Sequence, residues 1–293
     1  METLRASFPL TPAQAQAVQE SYAHFHELPI TLALQLNPDV SIDLQLIPPG
    51  EFIMGLEPDE FATLMSWYPD DEKWPENPLL PHLVQVDSPF YMARTPVTQA
   101  QWQVVRGTNP AHFTGNDQFP MENVSAQAAD SYCQALSVLT GQQVRLPTEA
   151  EWEYACRAGS TTLFHFGDSL EELVHYGWYR ENSEMRAHPV GLMLPNPWGL
   201  YDVHGGIDEF CQDPEHSSYQ DAPSDQRPWL ENGDMTRRIK RGGSWYDIGM
   251  HCCSPHSSSY PADVGSEDHG LRVVVEIPSQ NDSSVPAPGR PAI

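Results

Sequence analysis

The stretch RLPTEAEWEYACRAG, residues 145–159, carries the start, the buried face and the end of one short helix. Thr148 has the side chain of a helix N-cap, and Glu151 three residues on completes a reciprocal capping box. Trp152, Ala155 and Cys156 fall on one face at helical spacing. Gly159 ends the helix after about Ala158. Arg145, just before it, suits a buried charge-assisted hydrogen bond to a carboxylate or carbonyl better than a ligand role. The same holds for Arg272 further along. A helix this short cannot enclose a core by itself, so the flanking sequence must supply other small elements to pack against it.

Those elements read outward from it in both directions. Upstream, Ser125 opens a helix whose stripe is Ala129, Tyr132, Cys133, Leu136 and Leu139, with Gly141 as C-cap. Thr98 and Gln101 open a shorter helix that ends at Gly107. His82 to Met92 alternates well enough for one strand, and IDLQLIPPGEFIMG (42–55) gives two strands around a Pro-Pro-Gly turn. Residues 56–81, rich in Pro and acid, read as a long surface loop. Near the N-terminus, Thr11, Pro12 and Gln14 cap a helix over 11–28 whose face carries Ala15, Val18, Tyr22 and Phe25. It packs on the main domain or, alternatively, presents itself to a partner. Downstream, 160–277 reads as loops with short strands, the last being Leu271 to Glu276, and the tail from Pro278 is expected to be disordered.

Composition narrows the function. Forty acidic side chains against 15 basic ones give a formal net charge of −25 in 293 residues. Such a surface repels phosphate backbones and anionic bilayers, so neither a nucleic-acid partner nor membrane insertion is expected. No stretch is long and apolar enough to span a bilayer. The opening METLRASFPLTPAQ lacks a basic region followed by an apolar one, which reads as cytoplasmic. Five Cys, an odd number without CxxC spacing, fit reduced thiols better than a disulfide framework.

Six phrases then occur in order: LIPPGEFIMG (46–55), PVTQAQW (96–102), RLPTEAEWEYACRAG (145–159), NPWGLYDVHG (196–205), RGGSW (241–245) and GLRVV (270–274). Together they resemble the formylglycine-generating (sulfatase-modifying factor) enzyme family. The resemblance implies an α+β, irregular, loop-rich C-type-lectin-like fold with small antiparallel sheets and two or three short helices. It covers residues 42–277, leaving an N-terminal extension (1–41) with one amphipathic helix and the tail 278–293. The Gly242–Gly243 pair lets the backbone bend or approach another segment closely.

The resemblance also implies a structural calcium site. Asp202-Val-His-Gly-Gly-Ile-Asp-Glu209 is similar to a family calcium loop, with side-chain oxygens from Asp202 and Glu209 and backbone carbonyls from Gly205 and Ile207. A hard cation accepting several oxygens suits this set. A solvated acidic turn is the alternative. The family's packing tryptophans around this loop are replaced by Asp208 and Phe210.

The family's oxidase chemistry resembles copper–thiolate oxygen activation by two Cys just after the Arg-Gly-Gly-Ser phrase. Here the first of those positions is Asp247 and the second is Cys252. A carboxylate is a poor substitute for a soft thiolate on Cu(I), so no copper is expected. A second enzymatic branch uses non-haem iron held by a helical His motif. His24 and His26 lie two apart, which is wrong for one helix face.

Residues 246–269, YDIGMHCCSPHSSSYPADVGSEDH, sit between the anchors RGGSW and GLRVV. Their length and placement resemble the variable region of diversity-generating retroelement target proteins. Tyr246, Asp247, Ile248, His251, Ser258, Ser259, Tyr260, Pro261, Val264, Ser266, Glu267 and Asp268 stand where such templates carry Asn. Glu267 departs from what adenine mutagenesis of an Asn codon yields, and Cys253, Ser257 and Gly265 replace the family's arginines. Tyr, Ser, His and Asp also form a paratope-like composition. The expectation is a non-catalytic module that binds a protein or other macromolecule through this segment, with Tyr246, Ile248, His251, His256, Tyr260 and Val264 exposed and clustered. A plain non-catalytic homologue with an ordinary polar loop stays open. The alternative from another class is an oxidase converting a protein cysteine to formylglycine.

Overall fold

Each expected cap closes as a hydrogen bond in the computed structural model, which describes residues 5–68 and 80–277. Thr11, Thr98, Ser125 and Thr148 accept the backbone N–H of Gln14, Gln101, Ala128 and Glu151 at 3.0–3.3 Å. The helices that follow are α1 (Pro12–Phe25), α3 (Gln99–Arg106), α4 (Ala126–Thr140) and α5 (Glu149–Arg157), with α2 (Pro58–Trp67) between the first two. The second is a correction, because 56–81 reads as loop from its composition. Pro58 sits at the first helical position, and Glu57 with Glu60 forms a capping box. Leu64 is buried beneath it. The tail 278–293 lies outside the described residues.

Twelve short strands make three sheets among the described residues. They are β1 (Ala6–Ser7), β2 (Thr31–Gln35), β3 (Ser41–Ile47), β4 (Gly50–Met54), β5 (His82–Val86), β6 (Phe90–Ala93), β7 (Val144–Arg145), β8 (Asp208–Glu215), β9 (Asp234–Arg241), β10 (Ser257–Pro261), β11 (His269–Gly270) and β12 (Val274–Glu276). Their orders are β1-β4-β5, β10-β9-β8-β11 and β2-β3-β6-β12-β7. The strand expected over His82–Met92 is thus two strands in different sheets, split at Asp87-Ser88-Pro89, where proline cannot donate to a ladder.

The N-terminal residues are built into this body. β1 runs parallel to β4 and β2 antiparallel to β3. Trp198 Nε1 donates to Ala15 O at 3.1 Å, and Gln19 Nε2 to Leu46 O at 2.7 Å. The inward face of α1 is Ala15, Gln19, Tyr22 and Ala23, while Phe25 is exposed. In α4, Leu139 is likewise exposed and Ala126 is buried instead.

α5 departs furthest from its expected one-sided burial, because all nine of its residues are buried. Its acidic side chains are tolerated because each meets a cation or donor. Arg145 grips Glu151 through both guanidinium nitrogens at 2.6 and 2.8 Å. Arg157 bonds Glu153 at 2.9 Å, and Arg241 bonds both Glu149 and Glu153. The helix is the hub on which the RGGSW anchor docks. Gly243 is required there: its φ is +69°, and an added Cβ would lie 2.7 Å from Cys252 Sγ and 2.9 Å from His251 O.

Candidate functional site

Two anchors fix the segment 246–269. Arg241 is fully buried and also donates to Ser254 O at 2.8 Å, so the anchor reaches across into the segment itself. Trp245 is buried, meets Phe113 edge-on at 5.2 Å and donates to Glu267 O at 3.2 Å. At the far end, Leu271, Arg272, Val273 and Val274 are all fully buried, not alternately buried as a half-exposed strand would be. Leu271 O and Val273 O accept the N–H groups of Val97 and Ala93, which draws this end into the middle of the five-stranded sheet.

Between the anchors the segment divides into three. Tyr246 and Val264 are exposed, each at 44%, and Asp263 and Glu267 are exposed beside them. Ser258, Ser259, Tyr260 and Pro261 are half-buried on β10, the edge strand, as are Ser266 and Asp268 further on. The stretch from Gly249 to His256 is buried throughout. His251 and His256 are therefore not surface residues, and the expectation that they are exposed is corrected. Gly249 allows the chain to turn inward, since a Cβ there would lie 2.5 Å from Leu170 Cδ1. The two rings stack at 4.7 Å, and His251 Nδ1 lies 3.5 Å from Asp247 Oδ1. Polar composition alone does not mark them as buried, because each is compensated inside. Ile248 and Tyr260 are half-buried, Ile248 against the Met250–Cys253 cluster and Tyr260 against His269 at 4.2 Å.

Two loops extend the exposed rim. Arg180 stacks on Tyr246 at 5.3 Å and donates to its carbonyl at 2.9 Å. His112 Nε2 lies 3.5 Å from the Glu267 carboxylate, next to Phe113. Sequence reasoning missed Arg180, His112 and Phe113, which are distant in the chain and carry no motif. A cavity of about 800 Å³, lined by Glu215, His216 and Trp229 among others, contains none of these residues.

At the position of the family's thiol pair, Asp247 accepts Ser244 Oγ at 2.7 Å. Burial works against its charge, but His251, Lys240 and the Ser244 hydroxyl outweigh it and hold the carboxyl below the usual range. Cys252 is fully buried, and burial with the nearby Asp247 pushes its thiol well up. All five cysteines are free and buried. A buried thiol beside a carboxylate is a poor thiolate and a poor nucleophile.

The proposed calcium ligands behave differently from one another. Glu209 is committed: Arg272 contacts both its oxygens at 2.7–3.0 Å, and Trp152 Nε1 donates to it at 2.7 Å. A guanidinium already neutralises this carboxylate, so Glu209 does not fit as a ligand. Asp202 does fit. Its Oδ2 takes the Gly191 N–H at 2.7 Å, while Oδ1 is buried without a hydrogen-bond partner. Burial pushes its pKa up to about 6. The Gly205–Gly206 turn curls over it, with a Cβ at Gly206 falling 3.9 Å from Asp202 Cβ.

An α+β domain with a buried ionic helix at its hub, and a C-terminal segment slung between two anchors, defines a lectin-like scaffold. Residues 37–277 match the family described as Sulfatase-modifying factor enzyme 1-like domain, and the chain belongs to that family. Among its relatives, Chaperone protein LppX of Paenibacillus barcinonensis is 27% identical, covering 81% of this chain and 91% of that protein. The formylglycine-generating enzyme of Mus musculus is 26% identical over 74% of this chain, which spans 62% of the enzyme's length. Among solved structures, Treponema denticola variable protein 1 superposes with a TM-score of 0.72 at 25% identity, covering 85% of this chain and all of that one. That likeness agrees with the resemblance of residues 246–269 to the segment of variable proteins. No helix among the described residues is long and apolar enough to cross a membrane.

Proposed function

We propose that this protein is a non-catalytic binding module that captures a protein partner through the rim built by Tyr246, Val264, Glu267 and the β10 edge, flanked by Arg180 and His112. The observation that carries this reading is the pairing of rigid anchors with exposed side chains between them. Trp245 and Arg272 are buried while Tyr246 and Val264 each keep 44% exposure. Aromatic and polar groups held on a rigid base lose little entropy on binding, which is the physical basis of interface hot spots. The likeness to a variable protein supports this reading, and the relative named a chaperone supports a protein as the partner class. Asp247 in place of a thiol supports the absence of copper oxidase chemistry.

Replacing Tyr246, Val264 and Glu267 together by Ala, Ser and Ala should leave the melting temperature within about 2 °C, since exposed substitutions change stability little. It should weaken capture of a partner, identified by affinity purification and mass spectrometry, at least tenfold. Unchanged capture by the triple variant sinks the assignment of the face. Copper-dependent, oxygen-dependent oxidation of a cysteine-containing sulfatase-type peptide, abolished by Cys252→Ala, sinks the non-catalytic reading.

Calcium belongs to the proposal as a structural ion held by Asp202 Oδ1 and the carbonyls of Gly205 and Ile207. An ion that binds only the folded state stabilises it by about 2.7 kcal/mol at a hundredfold excess over Kd. Excess Ca²⁺ should therefore raise the melting temperature of the native protein but not of Asp202→Asn. An identical melting curve in Ca²⁺ and in chelator removes the ion from the account.

A further inference from the structure

The sheet order β9-β8-β11 gathers ionisable groups from three chain segments. The parallel register of β11 on β8 sets His269 opposite Asp208. The antiparallel register of β9 on β8 sets Lys240 opposite Phe210, two residues away. Nε2 of His269 then lies 3.5 Å from Asp268 Oδ1 and 4.0 Å from Asp208 Oδ2. One donor atom from each of Asp208, Asp268 and His269 lies within 4.8 Å of the others. Ligands about 2.0–2.2 Å from a shared ion stand at similar mutual separations.

Two further observations point to a missing partner. Asp208 Oδ1 is buried with no hydrogen-bond partner, and His269 turns Nε2 toward both carboxylates. The two residues are 1% and 2% exposed, so bulk water does not serve that oxygen. The charges also fail to balance. Lys240 bonds Asp208 Oδ2, yet its one ammonium is shared among Asp208, Asp247 and Asp268. Asp247 also faces His251, so within the cluster two carboxylates, Asp208 and Asp268, meet a single ammonium, and the remaining negative charge favours a bound cation.

We propose that Asp208, Asp268 and His269 form a binding site for one divalent transition-metal ion. An imidazole with two carboxylates is an N/O donor set, suited to zinc or manganese and unsuited to the soft Cu(I) ion. Calcium, which takes six to eight oxygens, gains nothing from the imidazole. The ion would pin the end of the segment 246–269 to β8. Ser266 assists by donating to Asp268. The site shares no residue with the Asp202 turn or with the Asp247 and Cys252 positions, and it does not depend on the binding face being correct.

The test uses the full chain, stripped with chelator and titrated with ZnCl₂ and MnCl₂ by calorimetry and elemental analysis. One equivalent of one of the two ions is expected. Asp268→Asn and His269→Gln should each weaken uptake at least tenfold, and Asp39→Asn, at an exposed turn, should leave it unchanged. Co²⁺ substitution should give visible d–d bands that disappear in His269→Gln. Asp268 is partly exposed, so its variant keeps the measurement decisive if His269→Gln fails to fold. Absence of stoichiometric uptake, uptake undiminished in Asp268→Asn, or uptake lost in Asp39→Asn overturns the proposal.

Discussion

Arg272→Ala is expected to destabilise the domain by about 3–5 kcal/mol, the usual consequence of removing one partner of a buried ion pair. The guanidinium is fully buried and serves four acceptor atoms. It holds both oxygens of Glu209, together with Ala93 O at 2.8 Å and Tyr201 O at 2.7 Å. Its loss strands an uncompensated carboxylate and two carbonyls, leaving Glu209 only the Trp152 N–H. Glu209 would be left as a buried carboxylate without its cation, and β8 would lose its tie to the strand end at Leu271–Val274. Arg227 is the control, because it pairs with Asp225 at the surface, with side chains 66% and 46% exposed. Arg227→Ala should change stability by no more than about 1 kcal/mol. Urea denaturation at neutral pH separates the two outcomes. Equal midpoints for both variants would show that Arg272 is not the internal cation of this loop.

Features set by local chemistry were legible in the sequence, and those set by distant partners were not. Thr11, Thr98 and Thr148 announce helices because a cap and its box lie within four residues, and Ser125 does so by its cap alone. Gly242 and Gly243 announce a close approach because no other residue tolerates one. By contrast, α5 reads as one-sided, since nothing within Glu149–Arg157 shows that Arg145 and Arg241 will neutralise its buried acids. The same limit explains His251 and His256. A polar stretch after Trp245 reads as surface until Asp247 turns inward to meet it. α2 was hidden by a composition of prolines and acids whose order, Glu57-Pro58-Asp59-Glu60, is nonetheless that of a helix start. The rim is legible only in part. Tyr246, Val264 and Glu267 lie within the segment, whereas Arg180 and His112 reach it through tertiary packing.

His204→Gln should flatten the acid side of the stability profile. His204 is fully buried and bonds Cys252 O through Nδ1 at 2.8 Å, which assigns the proton to that nitrogen. Its Nε2 accepts the His165 N–H at 3.2 Å and faces His165 Nδ1 at 2.9 Å. Cys156, Phe164 and Phe166 complete its surroundings. Burial is the main reason its pKa falls to about 4, and the charge of Arg157 adds to it against the opposing carbonyl bond. Unfolded, the ring titrates near its ordinary value of about 6.5. Between those values the unfolded chain carries a proton that the folded chain refuses, so stability falls as pH drops through the window. At about 1.4 kcal/mol per unit, most of a loss of roughly 3 kcal/mol is complete by about pH 4.5. Asp202 and Asp208, pushed up to about 6 and about 7 by burial, favour the folded state on acidification and work in the opposite direction. They are present in both proteins and cancel in the comparison. Unfolding free energies of native protein and variant, measured in urea at about pH 7 and about pH 4.5, should therefore converge by about 2–3 kcal/mol on acidification. A constant gap between the two would mean that His204 accepts a proton inside the fold, with Cys252 O and His165 rearranging around the imidazolium.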